Sequence, residues 1–205
     1  MKARFLLLLL PLAATPAVAA TIIYSGIQNV PIPLDPVGAY LRLDTGATAT
    51  AYPVDWDTAP WINPDFGGTR IFNSPLLRPI ITGTDQILNL APGTLIGSAS
   101  NFVAGESGSD KHFGTGPGQF AQNVPGYLGV AFRSTVGGPD YYGWIQMQIS
   151  NTGAGKIISW AYDDAPGTPI QAGNTGVVPE PGVLALLALA GGAVLGLLRR
   201  PREGS

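Results

Sequence analysis

The chain is 205 residues long, 45% hydrophobic and only 12% charged, with a net charge of −2 and no cysteine. The absence of cysteine excludes a disulfide framework and a lipid-modified N-terminal cysteine. Between residues 21 and 176 six basic side chains face eleven acidic ones, a net charge of −5, which makes nucleic acid a poor partner. The same stretch holds 23 glycines and 14 prolines, far from the Lys- and Glu-rich makeup of helical proteins.

The first twenty residues read as a secretory signal peptide. Lys2 and Arg4 form a positive start, residues 5–12 an apolar stretch interrupted by Pro11, and residues 13–20 a small-residue region containing Ala17-Val18-Ala19. The apolar stretch is too short to span a bilayer, so cleavage is expected after Ala19 or Ala20, with the rest of the chain exported.

Residues 21–176 have the length of one domain with a core of its own. In chain order, short strands are predicted at 21–25, 39–44 and 47–52. A Pro-rich connection at 55–64 follows, carrying Trp56 and Trp61, and then strands at 69–72, 79–82, 86–90 and 94–97. Residues 105–112 are rich in loop formers and contain His112, the sole histidine. Beyond the Gly114-Thr115-Gly116-Pro117-Gly118 loop, residues 127–133 place Leu128, Val130 and Phe132 on one face. In the next strand, 141–150, one face carries Tyr141, Ile145, Met147 and Ile149, and the other Tyr142, Trp144, Gln146 and Gln148. A turn cluster at 151–155 leads to a strand at 156–162, completing a hairpin. Ile158 rather than Ile157 is predicted to join Trp160 in the core, from the phase of Trp160 and Tyr162. Nowhere in this stretch does a 3.6-residue period persist, so the body is expected to be all-β, an antiparallel sandwich or jelly roll.

Residues 177–205 change character. Val178-Pro179-Glu180-Pro181 precedes an uncharged apolar run at 182–198, then Arg199, Arg200 and Arg202. Seventeen residues of helix rise about 25 Å, enough to cross a hydrocarbon core, and the arginines mark a cytoplasmic side. The two prolines hold the triplet extended just outside that helix and deny it helical hydrogen bonds. Gly192 and Gly196 make a GxxxG pair, which small residues in such a segment explain without helix pairing.

The succession of triplet, apolar helix and arginines resembles the PEP-CTERM sorting signal of Gram-negative bacteria that make exopolysaccharide. The body is similar to a companion of that signal in Tyr142-Gly143-Trp144, Trp160-Ala161-Tyr162-Asp163, Pro166-Gly167 and Ile170-Gln171-Ala172-Gly173. The resemblance covers about the last 80 residues. It implies transient anchoring in the inner membrane and processing near the triplet by the membrane protease exosortase. The released body would then reach the cell surface or extracellular matrix, where exopolysaccharide is a candidate partner.

Chemistry in the body is sparse. Ser107, Ser109, Asp110 and His112 are neighbours in sequence, but a triad needs spatial convergence and an oxyanion hole. The glycine-rich loop at 114–118 lacks the lysine and the following helix of a phosphate cradle. Asp55, Asp57 and Asp65 match no calcium loop. No catalytic residue, metal site or cofactor is assigned. Tyr142 and Trp144 are candidate rings for sugar stacking, against the alternative that both faces of their strand are buried. The expectation is an exported, non-enzymatic surface or matrix protein, with a carbohydrate-binding module second and a hydrolase third.

Overall fold

The computed structural model describes residues 21–82 and 86–176, and these form an all-β body in which every paired strand is antiparallel to its neighbour. Helical structure among the described residues is limited to two 3₁₀ turns, Trp56–Thr58 and Phe66–Gly68. The expected signal peptide, sorting triplet, 182–198 helix and arginine stop lie outside the described residues.

Three long strands, Pro125–Phe132, Tyr141–Gln148 and Gly155–Asp163, form the centre of the larger sheet. Ile22–Tyr24 and Val30–Ile32 share one edge, both pairing with Gly155–Asp163, while Leu77–Pro79 and Asn89–Leu90 share the other. Alternation decides what each face does. Leu128 sits opposite Ile145, and both are fully buried toward the second sheet.

That second sheet orders Ser107–Ser109, Arg70–Asn73, Trp61–Asp65, Tyr40–Arg42 and Thr48–Ala49 side by side. Its inward residues Leu41, Ile62 and Ile71 meet Val130, Phe132, Met147 and Ile149 in one continuous core. A close approach fixes the joint between the sheets. Gly67, at φ 69°, bonds its carbonyl to the Ser150 amide at 3.0 Å, and a Cβ there would stand 1.9 Å from the Ser150 oxygen. Only glycine fits that position.

Three of the sequence expectations need correction. Residues 61–65 are a strand buried along its whole length rather than part of a connection. Pro64 is tolerated there because it lies beyond the short ladder to Tyr40–Arg42, and its carbonyl accepts the Ala39 amide at 3.0 Å. The strands at 30–32, 107–109 and 170–171 carry too little periodicity over two or three residues to be seen in the sequence. Finally, Ile157 is fully buried and Ile158 is only half-buried. A bulge causes this: Gln146 pairs with Ser159 but Met147 pairs with Ile157, so Ile158 is the extra residue. Its carbonyl accepts the amides of Gln28 and Asn29 instead.

The outer face of the larger sheet has a core of its own. Ile80, Leu90 and Ile96 cover Ala131, Tyr142, Trp144 and Ala161 from one side, with Ile170 and Ala172 completing the cluster. Gly129 makes this cover possible, since a Cβ there would meet Ile80 at 2.6 Å and Leu90 at 2.7 Å.

Candidate functional site

The sequence candidates separate into those the fold absorbs and those beyond the described residues. Ala17, Ala19, Ala20, Val178, Pro179, Glu180, Pro181, Arg199, Arg200 and Arg202 all belong to the second group. Tyr142 and Trp144 belong to the first and correct the stacking expectation: Trp144 is 1% exposed and Tyr142 5%. Ile80 and the segments 86–102 and 170–174 close over them, Phe102 stacking on Tyr142 and the Trp144 indole donating to the Asn174 carbonyl at 2.9 Å. Neither ring offers a sugar a free face.

His112 is buried against Phe120, and its Nε2–H donates to the Gly68 carbonyl at 2.8 Å. Burial lowers its pKa below the usual imidazole value, outweighing the Gly68 bond and the nearby charge of Asp110. Nδ1 has no partner among the described residues. The Ser107 hydroxyl is spent on Asn73 Oδ1 at 2.7 Å, so Ser107 and His112 do not form a nucleophile–base pair. Within the 114–118 loop, the Gly116 amide donates to Gln119 Oε1 at 2.7 Å, which fills the loop from inside.

The three aspartates diverge as well. Asp55 accepts Arg42 at 2.8 Å and the Trp61 indole at 2.9 Å, while Asp65, 1% exposed, pairs with Arg70. Asp57 is exposed on the first 3₁₀ turn.

Following these pairs leads to a site the sequence did not reveal. Because Leu41, Ile62 and Ile71 point inward, their neighbours Tyr40, Trp61, Asn63, Asp65, Arg70 and Phe72 project from the outward face of the five-stranded sheet. The loop after Thr48–Ala49 folds back over this face and lays Trp56 at 5.9 Å from Tyr40, edge to face. Tyr52 rests on both, 5.5 Å from Trp56 and 6.3 Å from Tyr40, yet remains 64% exposed. Together with Glu106 from the neighbouring loop they enclose an open cleft of about 230 Å³.

Its polar groups are held firmly. Glu106 accepts the Trp56 indole N–H at 2.8 Å with one carboxylate oxygen and keeps the other. Asn63 directs its Nδ2 to the carbonyls of Val37 and Ala39, leaving Oδ1 as an acceptor on a side chain that lines the cleft. Arg70 is clamped by Asp65 and lies between two rings, 4.8 Å from the centroid of Phe66 and 4.9 Å from that of Phe72. Hydrogen bonding to Asp65 raises its pKa further, and burial followed by the Asp65 charge raises that of Tyr40, so the guanidinium stays charged and the phenol neutral. The cleft thus combines an exposed ring, a second ring beneath it, and fixed donors and acceptors around them.

No family model matches the chain, and no curated protein and no solved structure matches it either.

Proposed function

We propose that this is an exported, non-enzymatic surface or matrix protein whose body is a two-layer β-sandwich. Its 182–198 helix holds it in the inner membrane until an exosortase-type protease cuts near Pro179-Glu180-Pro181. The observation that carries the reading is the order of segments along the chain: signal-like start, compact β body, extended triplet, apolar run, arginines.

The body's geometry supports the reading in two ways. First, its ends lie together: the Thr21 amide donates to Asp164 at 2.8 Å, and Gly176 packs on Ile22 so closely that a Cβ would come within 2.9 Å of the Ile22 Cβ. The segments leading to the signal peptide and to the triplet therefore leave the body side by side, which suits a domain translocated and then held at one membrane face. Second, the side chains best equipped for catalysis serve the fold, His112 on Gly68, Ser107 on Asn73 and Asp65 on Arg70.

The decisive measurement is the C-terminal mass of the protein recovered from the cell surface. Termination close to Pro181 is expected. A surface form that still carries residues 182–205 would reduce the chain to a single-span membrane protein.

A further inference from the structure

We infer that the cleft on the outward face of the five-stranded sheet holds one uncharged pyranose ring, stacked on Tyr52. The inference does not depend on how the tail is processed.

Tyr52 carries the argument. A tyrosine 64% exposed to water is ordinarily a free rotor, but this one lies against Trp56 and Tyr40, so its ring is held in place before any ligand arrives. Trp56 and Tyr40 are themselves buried, and Trp56 is fixed by Glu106. A fixed ring with a bare face loses little entropy on contact, and the negative face of its π system suits the C–H groups of a sugar.

The polar rim suits the same ligand. A pyranose presents hydroxyls in its plane, each both donor and acceptor, while its faces are largely C–H. The second Glu106 oxygen and Asn63 Oδ1 can accept from such hydroxyls; the Tyr40 hydroxyl and the Arg70 guanidinium can donate to them. Size limits the occupant. At about 230 Å³ the cleft falls below the roughly 300 Å³ at which pockets for drug-sized ligands begin, so one ring is bound and the rest of a chain would run out through the open side.

Charge narrows the class. Arg70 is already neutralised by Asp65, whereas Glu106 has no cationic partner among the described residues and Asp57 adds its charge at Tyr52. A uronic acid or sulfated sugar would meet a net negative rim, and a neutral sugar would not. A quaternary ammonium group would suit the ring face and the negative rim, but it carries no acceptor for the Tyr40 and Arg70 donors and would lie beside the guanidinium's charge.

The test uses the full-length protein in a detergent without a sugar headgroup. The probes are the methyl glycosides of glucose, galactose and mannose, with glucuronate and choline as charged counterparts. Saturable binding of at least one neutral glycoside is expected in ligand-observed NMR. Tyr52→Ala should weaken it about three- to tenfold, as expected for loss of a single stacked ring, while the body stays folded with only a small fall in melting temperature from the lost Trp56 and Tyr40 contacts. Glu106→Gln keeps an acceptor for Trp56 and should weaken the neutral glycoside only modestly, whereas a charge-driven ligand would be lost. Failure of all three neutral glycosides to bind, preference for glucuronate or choline, or unchanged binding by Tyr52→Ala would each overturn the inference.

Discussion

The indole N–H of Trp144, in the middle of the central strand, donates to the carbonyl oxygen of Asn174, thirty residues later. This bond closes the last described segment over the outer face of the larger sheet, where Ile170 and Ala172 share a cluster with Trp144. Removing the ring would therefore open a cavity and free a strap at once. Trp144→Ala should cost about 3–5 kcal/mol. Trp144→Phe keeps most of the packing but removes the donor to the carbonyl of Asn174, an exposed residue, for about 0.5–1.5 kcal/mol. Thermal unfolding measures the first, and faster amide exchange confined to residues 170–176 should report the second.

The bulge in the hairpin makes a prediction that distinguishes two adjacent isoleucines. Ile157 faces Met147 in the shared core, and Ile158 is the additional residue beside the 25–29 segment. Ile157→Ala should cost about 2–5 kcal/mol as a large-to-small change in a packed core, and Ile158→Ala clearly less. Equal losses, or a larger one at Ile158, would mean that the register is uninterrupted.

This pair also marks how far the sequence can be read. Two-residue alternation was visible in the long central strands because one face repeats Leu128, Val130 and Phe132 and the next strand answers with Ile145, Met147 and Ile149. A bulge leaves no such trace, since it inserts one residue without altering composition. Trp144 was harder for a related reason: alternation separates two faces but does not say whether a distant loop will cover the second. The Tyr52 cleft was invisible altogether. It is assembled from residues 40, 52, 56, 63, 70 and 106, and the contacts that gather them are set by strand order. The pair Trp56 and Trp61 stood out amid prolines and acids, but nothing in the sequence named the residues that gather around Trp56.

His112 should make the body sensitive to mild acid. Burial disfavours the charged imidazolium, so the folded pKa lies below the ordinary imidazole value of about 6.5, at which the unfolded chain takes up its proton. Below about pH 6.5 the unfolded state then binds more protons than the folded one, and stability falls as pH drops toward the folded pKa, by up to about 1.4 kcal/mol per pH unit. Above that pH the contribution is constant. The orphaned Nδ1 reinforces the effect, because a proton placed there finds no acceptor among the described residues. Melting curves between pH 7.5 and about pH 4.5 should show a slope that His112→Gln reduces. An unchanged slope in the variant would assign the acid sensitivity to the carboxylates.

The last prediction concerns the distance between the body and its cut. Gly176 packs beside Ile22, and Pro179 follows three residues later, so at roughly 3.3–3.6 Å per residue the first residue of the triplet can stand at most about 11 Å from the body. On the proposed processing, a protease acting at the membrane surface would have to approach a folded domain closely, and the extended form that two prolines favour would keep the triplet accessible to it. Replacing Pro179, Glu180 and Pro181 with alanine should leave insertion intact, because the 182–198 run and the arginines are untouched, and should trap uncut precursor in the inner membrane. A flexible Gly-Ser insert after Gly176 should relieve crowding and leave cleavage equal or faster. Deleting residues 199–202 should instead weaken the halt and allow full-length chain to pass through. Immunoblots of membrane and surface fractions separate the three variants. Normal surface delivery of the triple-alanine variant would remove the triplet from any role in sorting.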